Sequence, residues 1–306
     1  MRVEISVKLH QLRNLVAVAN ADSIRGAARQ LGLAQPTVTR GLRDLEAELG
    51  VPLLERHGKG VTLNAYGQLF VVRARSILHD LERGREEVDY LKSAGGGGVN
   101  VGLSSAVLLS LAPGVFKEFR KRYRKARLTI SEGLFAAIEP LLRSGMIDFY
   151  IGPRPQGRLD KNYAADLLFI NRRVVACRRG HPLRKSRSLR DLLDADWIFT
   201  GASQAAASEY ERQFTELGFP VPNAVTQTQT ALPIVALLNA TDAVAFLPHQ
   251  WLRNPLFSTS LTEIPIEEPL KGPEIIRVMR RGVPLTPLAE QLGYLFEKEA
   301  LADKAG

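Results

Sequence analysis

Only one cysteine, Cys177, stands among the 306 residues. No intramolecular disulfide can form, and the lack of Cys or His neighbours argues against a zinc site. A reducing cytoplasm suits such a chain. Residues 1–12 hold no signal-peptide apolar core, and apolar runs such as 231–238 fall far short of the ~20 residues that cross a bilayer. A soluble intracellular protein with no membrane contact is expected. Histidine is scarce as well: His10, His57, His79, His181 and His249 include no pair at metal-ligand spacing, so neither a metal nor another cofactor is expected. His181, just before Pro182, reads as an exposed loop residue. The nucleophile elbow G-x-S-x-G, the phosphate loop G-x-x-x-x-G-K-[ST] and the dinucleotide motif G-x-G-x-x-G are all missing, which sets an enzyme behind the other readings.

Acidic residues are in deficit, 32 against 41 Lys+Arg, for a formal net charge of +9. That favours a polyanionic or small anionic partner. Where the excess sits matters more than its size. Residues 1–93 carry 14 basic and 11 acidic groups, net +3, and 94–306 carry 27 and 21, net +6. Two later clusters, 117–127 and 172–190, hold much of the excess and read as solvated faces.

Hydrophobic residues make up 45% of the chain, enough for a sizeable core and, at this length, for at least two domains. The run Gly95–Gly98 lacks Cβ restraint and reads as a hinge that packs nothing. Before it the helical period dominates. After it short β-rich runs alternate with amphipathic helices, the pattern of an α/β domain.

In the first part, Leu9, Leu12, Leu15, Val16 and Ala19 place a helix at 8–20. Asp22 and Ser23 offer N-caps for a second at 24–31, which Gly32 ends. Pro36 suits the first turn of a third helix. There Val38, Leu42, Leu45 and Leu49 form a narrow apolar stripe, which leaves Pro36, Arg40 and Arg43 opposite and Thr37 and Thr39 at the flanks. This is a helix-turn-helix, whose second helix fits the major groove of DNA. Residues 51–56 and 61–63 around His57-Gly58-Lys59-Gly60 predict a hairpin wing with a basic tip. A long helix follows at 64–91. Its seam of Phe70, Ala74, Ile77, Leu81, Gly84, Val88 and Leu91 keeps an unbroken heptad register, which predicts a homodimer through Phe70, Ile77, Leu81, Val88 and Leu91.

The segments Ser23-Ile24-Arg25-Gly26-Ala27-Ala28, Ala34-Gln35-Pro36-Thr37-Val38-Thr39-Arg40, Leu49-Gly50-Val51-Pro52-Leu53-Leu54-Glu55-Arg56 and Thr62-Leu63-Asn64-Ala65-Tyr66-Gly67 resemble the DNA-binding domain of LysR-type transcriptional regulators. The resemblance implies that Gln35, Pro36, Thr39 and Arg40 touch bases and phosphates and that Arg56 makes a wing contact. Ser23, Arg25, Thr37, Arg43 and Lys59 complete the expected interface. Ala34 stands where that family usually places a Ser cap.

Beyond the glycines, strands are predicted at 99–103, 128–130, 148–152, 173–177, 197–200, 243–247 and 275–279, with helices running from Ser104-Ser105 to about 123, then at 136–143, 234–238 and after Thr286-Pro287. A mostly parallel sheet follows, with ligands at its carboxyl edge. Hydroxyl residues recur there: Ser104, Ser105, Ser131, Thr200, Ser203, Thr226, Thr228 and Thr230. The order of elements is similar to the effector domain of the same family, two α/β subdomains with a cleft between them, like periplasmic binding proteins. That implies Ser104, Ser105, Gly133, Thr200, Ser203 and Thr228 as effector contacts, with Phe135 and Phe246 as apolar walls. The expected layout is a winged helix-turn-helix domain (1–68), a dimerisation helix (69–94), a hinge (95–98) and an effector domain (99–306). Subdomain I would take 99–170 and 273–306, and subdomain II 171–272.

The function expected is sequence-specific DNA binding controlled by a small effector, anionic or aromatic. Double-stranded DNA with an interrupted inverted repeat, the effector, a second and further copies of the chain up to a tetramer, and RNA polymerase are the implied partners. A ligand-independent DNA-binding or architectural protein is the alternative.

Overall fold

The computed structural model describes residues 6–58, 60–93, 97–200, 204–222, 224–228 and 230–303. The chain divides into two compact units, one of Met1–Lys92 with Arg143–Met146 and one of Ser93–Leu142 with Ile147–Gly306.

The first unit runs α1 (Leu9–Ala21), α2 (Ile24–Leu31), α3 (Gln35–Leu49), β1 (Leu54–His57), β2 (Gly60–Leu63) and α4 (Ala65–Ser93). Ser23 caps α2 by accepting the Gly26 N–H, whereas Asp22 is not an N-cap but closes the C-terminus of α1 in a left-handed conformation. Gly32, at φ 66°, supplies the turn into α3, where a side chain would be strained. Ala34 gives α3 no side-chain cap, as its lack of an oxygen requires. Val38, Leu42 and Leu45 are buried with Leu12, Leu15, Val18, Ala27 and Ala28, so the period read in the sequence is the period of the core.

Two polar side chains then fix the wing. Glu46 Oε1 accepts the Leu53 and Leu54 N–H groups at 2.8 and 3.3 Å, tying the wing's entry to α3. Asn64 donates to the Pro52 carbonyl at 2.8 Å and accepts the Gly67 N–H at 2.9 Å, which caps α4 from the other side. Gly67 packs so tightly on the Leu53 carbonyl that a Cβ there would collide with it.

In the second unit the order is β3 (Gly98–Leu103), α5 (Ser105–Ser110), α6 (Ala112–Arg122), β4 (Arg127–Glu132), α7 (Phe135–Arg143), β5 (Phe149–Pro153), β6 (Tyr163–Ile170), β7 (Arg173–Arg178), β8 (Trp197–Thr200), α8 (Gln204–Thr215), β9 (Ala224–Thr228), α9 (Ala231–Ala240), β10 (Val244–Pro248), α10 (His249–Arg253), β11 (Leu261–Ile264), β12 (Glu274–Arg280) and α11 (Pro287–Asp303). Two five-stranded sheets form, ordered β4-β3-β5-β12-β6 and β11-β7-β10-β8-β9. Each is mixed. The β4-β3-β5 and β10-β8-β9 runs are parallel, but β12 is antiparallel to β5 and β6, and β7 to β10 and β11. The two expected subdomains each hold one sheet, and the mostly parallel pairing expected is mixed in both, because β12 and β7 arrive by crossovers from the other sheet's side of the chain. At those crossovers Asn171 N–H donates to the Pro273 carbonyl at 2.9 Å, and Gly272 lies so close to the Asn171 carbonyl that no side chain fits.

Other expectations need correction. Gly98 is no part of a hinge: it is buried, begins β3 and pairs with Arg127, while the Gly97 carbonyl accepts the Arg127 N–H. Gly95 and Gly96 lie outside the described residues. The helix expected to run from Ser104 to 123 breaks at Leu111 into α5 and α6, with Pro113 in the first turn of α6. Strands β6, β9 and β11 and helices α8 and α10 carried no recognised sequence signal. His181 is buried, not exposed. Its Nδ1 accepts the Leu183 N–H at 3.0 Å, so Nε2 bears the hydrogen and donates to the Asp242 carbonyl at 2.7 Å.

Candidate nucleic-acid interface and ligand cleft

The outer face of α3 is a polar strip. Gln35, Pro36, Thr37, Arg40 and Arg43 are exposed and Thr39 half-exposed. Gln35, Pro36, Thr39, Arg40, Arg43 and Asp44 share one surface concavity. Asp44 was not singled out from sequence. The Thr39 hydroxyl donates to the Gln35 carbonyl at 3.0 Å, which fixes its rotamer and leaves its lone pairs outward. Among the described residues no carboxylate pairs with Arg25, Arg40 or Arg43, so these cations keep their charge for an outside partner. Ser23 spends its hydroxyl oxygen on the α2 cap. The Arg56 backbone pairs with Val61 in the wing, Lys59 lies outside the described residues, and the hairpin turn joins His57 to Gly60.

The α4 seam divides in two. Ala74 is buried and Phe70 half-buried, packed on the core of the first unit, so this end of the seam is covered by its own chain. Further along, Ile77, Leu81 and Val88 are 49%, 51% and 48% exposed, an unpartnered apolar stripe in an otherwise charged helix. Leu69 and Tyr66 add exposed apolar surface that the heptad reading missed. The Leu91 side chain lies outside the described part of the helix.

In the second unit β3 and β4 are parallel and end side by side at Leu103 and Glu132, and β8 and β9 end at Thr200 and Thr228. Helix α5 follows β3 and α10 follows β10. The Asn254 amide, just past α10, donates to the Leu109 carbonyl in α5 at 2.8 Å, and Leu109 packs into the core around Trp251. That contact brings the carboxyl edges of the two sheets toward each other, the place where such sheets bind ligands.

Several expected contacts lie at these strand ends. Ser104 is buried and caps α5 by accepting the Val107 N–H. The Ser105 hydroxyl donates to Glu132 Oε1 at 2.5 Å. Gly133 N–H donates to the Leu103 carbonyl at 3.0 Å, holding the turn beside the end of β3. Thr228 is buried with its hydroxyl on the Thr230 carbonyl at 3.1 Å. The backbone of Thr200 pairs with Thr228; its side chain, and Ser203 altogether, lie outside what is described. Of the two proposed walls, Phe246 is a buried core residue, whereas Phe135 is half-buried against the core of its own sheet. Phe246 packs 4.6 Å from Trp197 between Tyr210 and Phe214, and Phe135 stands edge-on to Tyr150 and Tyr163 at 5.5 and 5.8 Å.

Away from the cleft edge, Arg154 pairs with Glu274, and Lys271 reaches Glu216 at 2.9 Å, which pulls the Glu216 carboxyl below its ordinary value. Of the basic clusters, Arg122 pairs with Glu118, Arg178 grips Asp242 through two nitrogens, and Arg120 donates to the Ala126 carbonyl in the turn between α6 and β4. Among the described residues no group of three or more His, Cys, Asp or Glu could hold a metal, and no helix is long and apolar enough to cross a membrane.

Comparison with known proteins agrees with this anatomy. Residues 9–68 match the family model for the bacterial regulatory helix-turn-helix protein, lysR family, and residues 93–300 match the LysR substrate binding domain. The chain is 31% identical over 241 residues to the HTH-type transcriptional regulator GbpR of Azospirillum brasilense, which covers 78% of this chain and 70% of that protein. It is 26% identical to TdcA of Escherichia coli K12 over 83% of this chain and 80% of the relative. The fold is shared with CbnR, a LysR family transcriptional regulator, at a TM-score of 0.72 and 21% identity over 96% of this chain and 99% of that one. CbnR has also been solved with its target DNA, and that structure gives the same TM-score over 95% of this chain. With a helix-turn-helix at one end and a two-sheet ligand-binding unit at the other, this chain belongs to the LysR family of ligand-responsive, DNA-binding transcriptional regulators.

Proposed function

We propose that a dimer of this chain, joined through the exposed Ile77, Leu81 and Val88 stripe of α4, holds two α3 helices in successive major grooves of an interrupted inverted repeat. The observation that carries this is the α3 face, where Gln35, Thr39, Arg40 and Arg43 stand outward and no carboxylate among the described residues pairs with either arginine. Gln35 and Arg40 supply base-edge donors and acceptors, and Arg25, Arg43 and Arg56 supply phosphate contacts. The α/β units extend the dimer to a tetramer. An effector seated at Ser104, Ser105, Gly133 and Thr228 shifts a pre-existing equilibrium of subunit packing and so of DNA bending. Its place of action is the cytoplasm. Relatives named as transcriptional regulators support a regulator over an enzyme.

Footprinting on the DNA that flanks the protein's own coding region tests this directly. Arg40→Ala should lose protection of the specific site and ~1–3 kcal/mol of discrimination at one base pair per half-site. An unchanged footprint removes Arg40 from the interface.

A further inference from the structure

The end of β3 holds two polar groups that the proposed effector contacts leave out. Glu132 is the last residue of β4, exposed at the carboxyl edge of the sheet, and the Ser105 hydroxyl occupies one of its oxygens at 2.5 Å. Among the described residues no cation pairs with Glu132. Tyr150 lies one layer deeper. Its ring passes over Gly102 and Gly152, where a Cβ at Gly152 would collide with the phenol oxygen and would sit 3.0 Å from Ser104 Cβ. The hydroxyl therefore ends at the depth of Ser104, below the turn that carries Gly133 into α7. It is fully buried, and no acceptor takes its proton. The Phe135 main-chain N–H leans on its oxygen, and burial nonetheless drives its pKa upward. This phenol is a donor held ready at neutral pH.

A bare carboxylate and a neutral phenol donor set the charge of what can bind. An anion placed at Ser104 would face the negative Glu132, with which no cation among the described residues pairs, so the repulsion works against carboxylates and sulfonates. A hydroxyl, in contrast, can donate to Glu132 while a second oxygen of the same molecule accepts from Tyr150. Resting on the effector reading above, we infer that the cleft takes an uncharged ligand bearing at least two oxygens, one hydroxyl given to Glu132 and one acceptor given to Tyr150. This departs from the anionic effector that net basicity suggests.

Thermal-shift titrations of the full chain with two matched pairs test it: glucose with gluconate, and 4-hydroxybenzyl alcohol with 4-hydroxybenzoate. An uncharged member should raise Tm saturably while its acid does not. Tyr150→Phe should fold with an unchanged or higher Tm and bind that compound at least tenfold more weakly. Glu132→Gln should narrow the gap between each acid and its partner. Acids that stabilise the wild type, or a Tyr150→Phe variant with undiminished affinity, overturn the assignment while leaving an effector cleft in place. No shift with any of the four overturns the ligand class. Failure of the effector reading itself would look different: the protein–DNA complex would then be unaltered by any compound that binds the chain.

Discussion

His181 and Cys177 show how much a single position depends on distant chain. His181 bridges the Leu183 N–H and the Asp242 carbonyl, so His181→Ala strands one part-buried donor and one part-buried acceptor. A loss of ~1–3 kcal/mol in urea unfolding is expected, and a neutral outcome would mean water replaces the ring. Cys177 is buried in β7, and burial pushes its thiol up to about 11 against the opposing pull of Arg178 and Arg184. The folded chain should resist dithionitrobenzoate at pH 8 and react fully in denaturant. Because the folded thiol holds its proton above the ordinary value of 9.0, this group's stabilisation is complete below pH 9 and is lost as pH rises through about 11. The sequence showed Cys177 as unpaired but gave His181 the wrong environment, since its partner Asp242 lies 61 positions away. Phe246 misled for a related reason. In β10, Val244 and Phe246 face one apolar layer while Ala245 and Leu247 face the other, and a strand buried on both sides has no pattern that tells cleft from core.

Among elements, the helices of the first unit were legible because each is set by contacts within a few turns: an apolar stripe, a Ser23 cap, a glycine stop. The strands of the second unit were less so. β6 reads Tyr-Ala-Ala-Asp-Leu-Leu-Phe-Ile, which has no two-residue alternation, and only its pairing with β12, more than a hundred residues on, makes it a strand. Two predictions belong here. Leu81→Glu puts a charge into the exposed α4 stripe and should turn the dimer into monomer in equilibrium sedimentation while Tm changes little, since Leu81 is 51% exposed. Gly67→Ala drives a methyl into the Leu53 carbonyl and should cost ~1–3 kcal/mol or more. Specific DNA affinity should fall with it, because the wing rests on the same residues.

For the whole molecule, net charge is a poor guide to where DNA binds. Most of the +9 lies outside the first unit, and much of it is spent on neighbours such as Asp242, Glu118 and the Ala126 carbonyl. Reversing the exposed Lys121 and Lys125 to Glu should leave specific affinity within about threefold at 0.15 M salt, where the Debye length is ~8 Å. Arg40→Ala, a smaller change in charge, should abolish site protection. Gel-shift titrations at several salt concentrations distinguish a positional effect from a diffuse one, since each lost phosphate contact lowers the salt slope by ~0.9. The strand ends where the proposed effector contacts lie were legible in outline from hydroxyl residues. Glu132 and Tyr150 were not, because a carboxylate and a phenol in β-rich runs acquire meaning only once β3, β4 and β5 lie side by side.

The central position of β12 has a consequence for how the protein is made. This strand lies between β5 and β6, yet it begins at Glu274, near the end of the chain. During synthesis helices α1 to α4 and the wing are complete once residue 93 has emerged, whereas β5 and β6 wait for more than a hundred further residues before the strand that joins them arrives. A message truncated before codon 274 would thus yield a chain able to fold its DNA-reading helices but not the first sheet of its sensor. Such a fragment would compete for the operator without responding to any signal.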